Sequence, residues 1–428
     1  VNVAVVGCWH LGSVTAACLA SFGHRVTGID LDAAIVEGLQ RGHPPVAEPG
    51  LAELIAGGTE ADRLTFTVDA ASVGEAEVVW VTFDTPVDDA DRPDTAWVVS
   101  RVEAMLPDMP RDALVLVSSQ LPAGTVALLE ERARDLAPDL GLRFAASPEN
   151  LRLGSAIDAF TDPERVIVGI RDDADRAVVS DLLAPIADRI VWMSVESAEM
   201  TKHALNAFLA TCVSFANEIG ALCERIGADA RDVAYALRSD PRVGPKAYVL
   251  PGAAFAGGTL GRDVVALLEV GRGVGLPMHL VEGVRSANDA HRAWALDTLE
   301  RELTTFSERR IAILGLTYKP GTSTLRRSAA LELAGALAER GAVVRAHDPQ
   351  AEPLPAQTHS GIERVEAVTN AIAGADAIVV MTEWPEYRDL DPRIFGESGT
   401  VVIDPSGFLA ATLGQRPGVE YRAVGWRA

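Results

Sequence analysis

Short apolar runs, VNVAVVG, RVTGID, EVVWVTF, ALVLVSS and LRFAAS, recur through the first third of the chain, separated by stretches of helical periodicity. That alternation predicts parallel strands joined by crossover helices, with ligands binding at the carboxyl ends of the strands where the loops converge. A second block of the same kind starts at RRIAILGLTY and continues through AVVRAHDP, ADAIVVMTEW and TVVIDPSG, predicting a second, smaller parallel sheet. Between the blocks, from about Ser194, SAEMTKHALNAFLATCVSFANEIGALCERIG keeps apolar residues at helical spacing without a proline and reads as one long helix. Further helical segments, the loop PRVGPKAYVLPGAAFAGGTLGRD and a helical stretch ending near Leu303 follow, and the charged segment from about Glu302 to Arg309 has the composition of a linker. The expected fold is α/β: two nucleotide-type parallel-sheet domains, residues 1–193 and 304–428, joined by a long helix and a helical middle, residues 194–303.

The length of 428 residues agrees with several domains. A formal charge of -22 repels nucleic-acid phosphates and anionic membranes at long range, so neither is the expected partner, and an anionic small ligand needs a local cationic pocket. Cys8, Cys18, Cys212 and Cys223 lie in apolar stretches with neither metal nor disulfide spacing, so no metal site is expected. With no basic leader and no uninterrupted apolar run long enough to span a bilayer, the expectation is a soluble, cytoplasmic protein. Basic residues are nearly all arginine; Lys202, Lys246 and Lys319 are the lysines, a bias expected of composition alone that draws attention to the three that remain.

VAVVGCWHLGSVTAACLA reads as strand, turn and helix start, and the second strand ends on Asp30, eighteen residues after Gly12. In a dinucleotide fold the turn seats a pyrophosphate on the helix N-terminus, and an acid at the end of the second strand binds the ribose hydroxyls. Asp30 favours NAD over NADP, because it would repel a 2'-phosphate. Trp9 occupies the place of the middle glycine, so a merely structural turn stays open as the alternative. TKHALN puts Lys202 and Asn206 on one helical face, where the lysine either serves a site or reaches to solvent. SPENLRLG follows a strand and offers Glu149, Asn150 and Arg152; YKPGTSTLRRS offers Lys319, Arg326 and Arg327 to an anion. Each could instead be a solvated turn.

Taken in order, GCWHLG, VAEPGL, DTP, SPENLRLG, TKHALNAF with FANE, PRVGPKAYVLPG, FAGGTLGRD, GLTYKPGTSTLRRS and TEWPEY resemble the UDP-glucose/GDP-mannose dehydrogenase family over nearly the whole chain. The resemblance implies two Rossmann-like domains, NAD as cofactor, a nucleotide-sugar substrate, a homodimer through the central helix, and two successive oxidations of the sugar's primary hydroxymethyl group, through an aldehyde to a uronic acid. It implies cofactor contacts at Gly7, Trp9, His10, Leu11, Gly12, Asp30, Thr85, Pro86, Ser119, Gln120 and Arg262. Substrate contacts are implied at Glu149, Asn150, Leu151, Arg152, Lys202, Asn206, Arg242, Tyr248, Gly257, Lys319 and Arg326, with Arg242 often reaching across the dimer. In the implied chemistry Asp263 and a water accept the hydroxyl proton, Asn206 holds that water, Lys202 stabilises the oxyanion, and Glu149 serves a later hydrolysis.

Three departures stand out. Thr259 falls where the family carries a nucleophilic cysteine, Gln120 replaces a usual threonine and Leu153 a second glutamate. An aldehyde yields no hydride until a nucleophile adds to it, and a threonine hydroxyl is far less acidic than a thiol. The expectation is therefore an oxidation that stalls at, or is slow beyond, the aldehyde. The alternatives are full four-electron oxidation by a thiol-independent route, with water activated near Glu149, or a non-catalytic nucleotide-binding homologue. The base and the sugar are not legible.

Overall fold

The computed structural model describes residues 1–88, 92–149, 151, 153–186, 189–317, 319–325, 327–355, 358, 360–396 and 399–426, excepting the side chains of 257 and 258. Three candidates, Asn150, Arg152 and Arg326, lie outside the described residues, as does the side chain at Gly257. The chain forms two compact units, one of residues Val1–Leu205 with Val265–Gly275 and the other of Asn206–Val264 with Leu276–Ala428.

The first unit is built on an eight-stranded sheet. Its strands are β1 (Asn2–Val6), β2 (Arg25–Ile29), β3 (Leu64–Thr67), β4 (Val78–Val81), β5 (Leu114–Val117), β6 (Arg143–Ala146), β7 (Val166–Ile170) and β8 (Ile190–Met193), in the order β3-β2-β1-β4-β5-β6-β7-β8. The runs are continuously apolar because the sheet is covered on both faces: Val3 and Val5 enter one core, Ala4 and Val6 the other. The strand order reverses beside β1, which places the ligand crevice at the carboxyl ends of β1 and β4. One pairing departs from the expected parallel sheet, for β7 runs antiparallel to β6. Its consequence is local. Because β7 starts at the end of the sheet where β6 finishes, the connection 147–165, with Glu149 and Leu151, needs no crossover and stays beside the crevice.

The second unit contains a six-stranded sheet of β9 (Arg310–Leu314), β10 (Val343–His347), β11 (Ile362–Arg364), β12 (Ala377–Val380), β13 (Thr400–Ile403) and β14 (Val419–Arg422), ordered β11-β10-β9-β12-β13-β14 with parallel pairings. Ile311 and Ile313 face one core, Ala312 and Leu314 the other. The charged stretch read as a linker is tied down here: Phe306 is buried with Leu299 and Leu303 against this sheet, and Glu302 pairs with Arg422 at 2.8 Å.

The long helix is observed as Val195–Ile226. Among the described residues it is long and apolar enough to cross a membrane by length and composition, although charged and polar residues such as Glu199, Lys202, Asn206 and Glu218 interrupt its apolar run. Three of its polar residues are spent inside the protein. His203 bonds the Leu121 carbonyl, Ser214 donates to the Val284 carbonyl, and Asn217 accepts from Gly252 N at 2.8 Å.

Candidate active site

The turn after β1 is shaped by close approach. Gly7 has φ +91°, and a Cβ there would lie 2.5 Å from the Phe83 ring; a Cβ on Gly12 would stand 1.8 Å from the Gly7 carbonyl oxygen. The start of the helix His10–Ser21 is thereby pressed against the strand end. Its N-terminus has no side-chain cap and no acid in its first turn, so its N–H groups and dipole are left for an anion. Asp30 follows β2, where Oδ2 accepts Cys8 N at 2.6 Å and Oδ1 accepts Asp32 N at 3.0 Å. These residues fit a dinucleotide, with Asp30 at the ribose and the helix at the pyrophosphate.

Trp9 is the misfit. It is the N-cap residue and is 44 % exposed, standing where bare backbone would let the pyrophosphate come closest. A Trp9→Gly variant should therefore bind NAD more tightly without losing stability, since glycine is tolerated at an N-cap. A gain of about 0.5–2 kcal/mol at a helix N-terminus corresponds to roughly 2–30-fold in the dissociation constant, read by calorimetric titration. Unchanged or weaker binding would mean that the indole itself contributes to the cofactor site.

The second unit repeats the turn but spends its acid. Gly315 (φ +89°) donates to the His347 carbonyl as Gly7 does to that of Ile29. Asp348 takes the place of Asp30, yet its Oδ2 accepts from Leu316 N, Thr317 N, Thr317 Oγ1 and Trp384 Nε1, and its Oδ1 from Gln350 N and Ala351 N. Burial alone would raise its pKa, but these donors hold it below the usual carboxylate range. Asp348 has no lone pair left for a ribose, and the two turns are not equivalent ligand sites.

Further along the crevice of the first unit, Thr85 Oγ1 donates to the Gln120 carbonyl at 2.8 Å, and the Pro86 carbonyl accepts Asp94 N. The buried Ser119 hydroxyl has no hydrogen-bond partner among the described residues. It lines a cavity of about 20 Å³, room for one water, together with Gln120, Glu149, Glu199 and Lys202. Lys202 is half-buried, and its Nζ donates to the Glu149 carbonyl at 2.7 Å. Glu149 folds its own carboxylate onto Leu151 N.

In the second unit the structure brings Asn206 and Asp263 together. Both are buried, Asp263 completely, and Asn206 Nδ2 donates to Asp263 Oδ2. The segment before Asp263 is not the flexible loop its glycines suggest. Gly257–Gly261 form a single π-helical turn that runs straight into the helix Arg262–Gly273. The approach to it is clamped by side chains distant in sequence: Asn217 holds Gly252 and Ala253, Asn288 exchanges two bonds with the Phe255 backbone, and His291 bonds the Gly252 carbonyl at 2.8 Å. Thr259 is exposed on the π turn, and no carboxylate, imidazole or amine among the described residues hydrogen-bonds its hydroxyl. Arg242 lies on the surface, forked onto Asp240, and Tyr248 is half exposed. Lys319 sits in the turn after β9, its carbonyl accepting from Thr317 and Thr322.

A dinucleotide crevice in one unit and a buried carboxylate–amide pair followed by a second nucleotide-type sheet in the other define the class: a dinucleotide-dependent dehydrogenase. Family models agree across the chain. Those of the UDP-glucose/GDP-mannose dehydrogenase family match in order, the NAD binding domain over residues 1–187, the central domain over 196–290 and the UDP binding domain over 312–411. The chain is 32% identical to UDP-glucose 6-dehydrogenase YwqF of Bacillus subtilis, over 100% of this chain and 98% of that protein. It is 33% identical to a UDP-glucose 6-dehydrogenase of Pseudomonas aeruginosa, over 99% and 97%. A solved UDP-glucose dehydrogenase from Pyrobaculum islandicum superposes with a TM-score of 0.90 at 31% identity, covering 100% of this chain and 98% of that one. The chain belongs to the UDP-glucose/GDP-mannose dehydrogenase family: it is an NAD-dependent nucleotide-sugar dehydrogenase.

Sequence reading passed over two acids that organise this region. Glu199 accepts from Gly124 N and Val126 N, capping the helix Thr125–Leu136 beside the small cavity, and burial raises its pKa against those two bonds. Its only sequence signal was its place one helical turn before Lys202. Glu48, inside VAEPGL, is taken up below.

Proposed function

We propose that the enzyme oxidises the primary hydroxymethyl group of UDP-glucose or a close UDP-hexose, and that it works quickly only as far as the aldehyde. The observation that carries this reading is the contrast between Asp263, buried and held by Asn206, and Thr259, exposed with no base among the described residues hydrogen-bonded to it. The names of the relatives support the UDP-sugar.

In the first oxidation Asp263 accepts the hydroxyl proton through a water that Asn206 holds, and Lys202 stabilises the oxygen as it gains charge. NAD, held at Asp30 and the N-terminus of the helix His10–Ser21, would supply the acceptor for the hydride from the same carbon. The second oxidation requires a nucleophile to add to the carbonyl. No cysteine with a shifted pKa offers a substitute: burial, with Asp30 nearby, pushes the Cys8 thiol well up, and burial alone raises Cys212 and takes Cys18 to about 12. The one-water cavity beside Glu149 and Lys202 favours a second, slower reading, in which water hydrates the aldehyde and the hydrate yields the acid.

We read the assembly as a cytoplasmic homodimer with parts at residues 1–193, 194–303 and 304–428. Phe208, Phe215, Leu222 and Ile226 form an exposed apolar stripe on the long helix, 46–68 % exposed, which a second copy would cover. Arg242, on the surface and paired there with Asp240, then reaches the partner's substrate, Tyr248 contacts substrate as well, and Lys319 contacts the nucleotide phosphates. Initial rates of NADH formation with UDP-glucose, dTDP-glucose and GDP-mannose test the substrate. UDP-glucose should lead in kcat/KM by about tenfold or more, and a preference for GDP-mannose would sink the assignment.

A further inference from the structure

Glu48 precedes the helix Leu51–Glu60, and its side chain is 1% exposed. The carboxylate faces two segments that lie far apart in sequence. Oε2 meets His10 Nε2 at 2.9 Å and accepts Gly154 N at 2.8 Å, while Oε1 accepts Ala156 N at 2.8 Å. His10 is the first residue of the helix whose N-terminus awaits the cofactor's pyrophosphate. Gly154 and Ala156 lie midway along the connection that carries Glu149 and Leu151 and that Lys202 holds at the Glu149 carbonyl.

Away from the crevice the helix His10–Ser21 packs on the connection, Val14, Ala17 and Cys18 sharing a core with Ala156, Ile157 and Phe160; only at the crevice does that packing open. Leu11 and Thr15 on one side, and Pro148, Glu149 and Leu151 on the other, line a cavity of about 90 Å³. Two segments separated by a void transmit little by contact, whereas a buried carboxylate with both oxygens bonded has one low-energy arrangement.

We infer that Glu48 is a positioning residue that ties the cofactor turn, through His10, to the connection bearing Glu149, so that NAD occupancy orders that connection. The two ends of the tie can be cut separately. His10→Ala removes the link to the cofactor turn and leaves the bonds to Gly154 and Ala156. Glu48→Gln leaves one acceptor oxygen for two N–H groups and sets an NH₂ against the other, whereas Glu48→Asp keeps two acceptors.

The test is amide hydrogen exchange on the full-length chain with NADH, held above each protein's own dissociation constant as measured by fluorescence titration. It uses no sugar, so its outcome is independent of which substrate is correct. In the wild type NADH should slow exchange across 147–156 by about fivefold or more, the lower end of ordinary site-to-site coupling. In His10→Ala the cofactor turn at 7–12 should still be protected by NADH while protection of 147–156 is lost. Glu48→Gln should exchange faster at 154–156 even without NADH, and Glu48→Asp should recover part of the wild-type protection. Wild-type protection confined to the cofactor turn, or full protection of 147–156 in His10→Ala, would overturn the proposal. Should Glu48→Gln fail to fold, the His10→Ala comparison still decides it.

Discussion

Asp263→Asn should lower kcat by about 10²–10⁴-fold, the usual worth of a positioned general base, while leaving KM for both substrates within a few-fold. Asp263 is completely buried, lies in the first turn of the helix Arg262–Gly273, and accepts from Asn206. A fold gains little from a buried carboxylate, because desolvating it costs more than neutral packing would. Asparagine keeps the size and shape and removes the ability to take a proton. The melting temperature should therefore hold or rise while turnover falls. A variant that melts well below the wild type, yet keeps its kcat per folded molecule, would show Asp263 to be structural.

The second large effect is a gain. On the reading proposed above, Thr259→Cys should shift the product from the aldehyde to the uronic acid, because a few per cent of a free thiol is ionised near pH 7 and can add to the carbonyl. The substitution is close to isosteric at an exposed position, so stability should shift by no more than about 0.5 kcal/mol. Position 259 lies on the π turn Gly257–Gly261, and Asn217, Asn288 and His291 fix the backbone at 252–255 that leads into it. Acid formation in the variant should also be abolished by iodoacetamide. Product analysis by mass spectrometry checks both points, and a variant that still yields only aldehyde would mean that the position is not aimed at the reacting carbon.

Much of this was legible in the residues. Strands such as β1, β4 and β5 announced themselves because burial on both faces makes them unbroken apolar runs. The helix Val195–Ile226 was equally plain from its period. Short or half-buried strands were not: β3, β7, β8, β11 and β14 offer three to five residues each, too few for a period to show. The reversed direction of β7 has no local signature at all. Glycines at 257, 258 and 261 read as flexibility because the residues that clamp the approach to them, at 217, 288 and 291, belong to other helices. Glu48 was hidden for a related reason. Its partners are two backbone N–H groups and one imidazole, 106, 108 and 38 residues away, and a single acid in a turn carries no sign of what it will bind.

The central claim is that the chain retains the machinery for one hydride and lacks the nucleophile that releases the second. Single-turnover reaction of UDP-glucose with excess NAD, following NADH by absorbance and the sugar product by mass spectrometry, reads it directly. One NADH per sugar in the fast phase, with the aldehyde or its hydrate as product, is the result this account predicts. Two NADH per sugar in one fast phase, with the uronic acid as product, would contradict it.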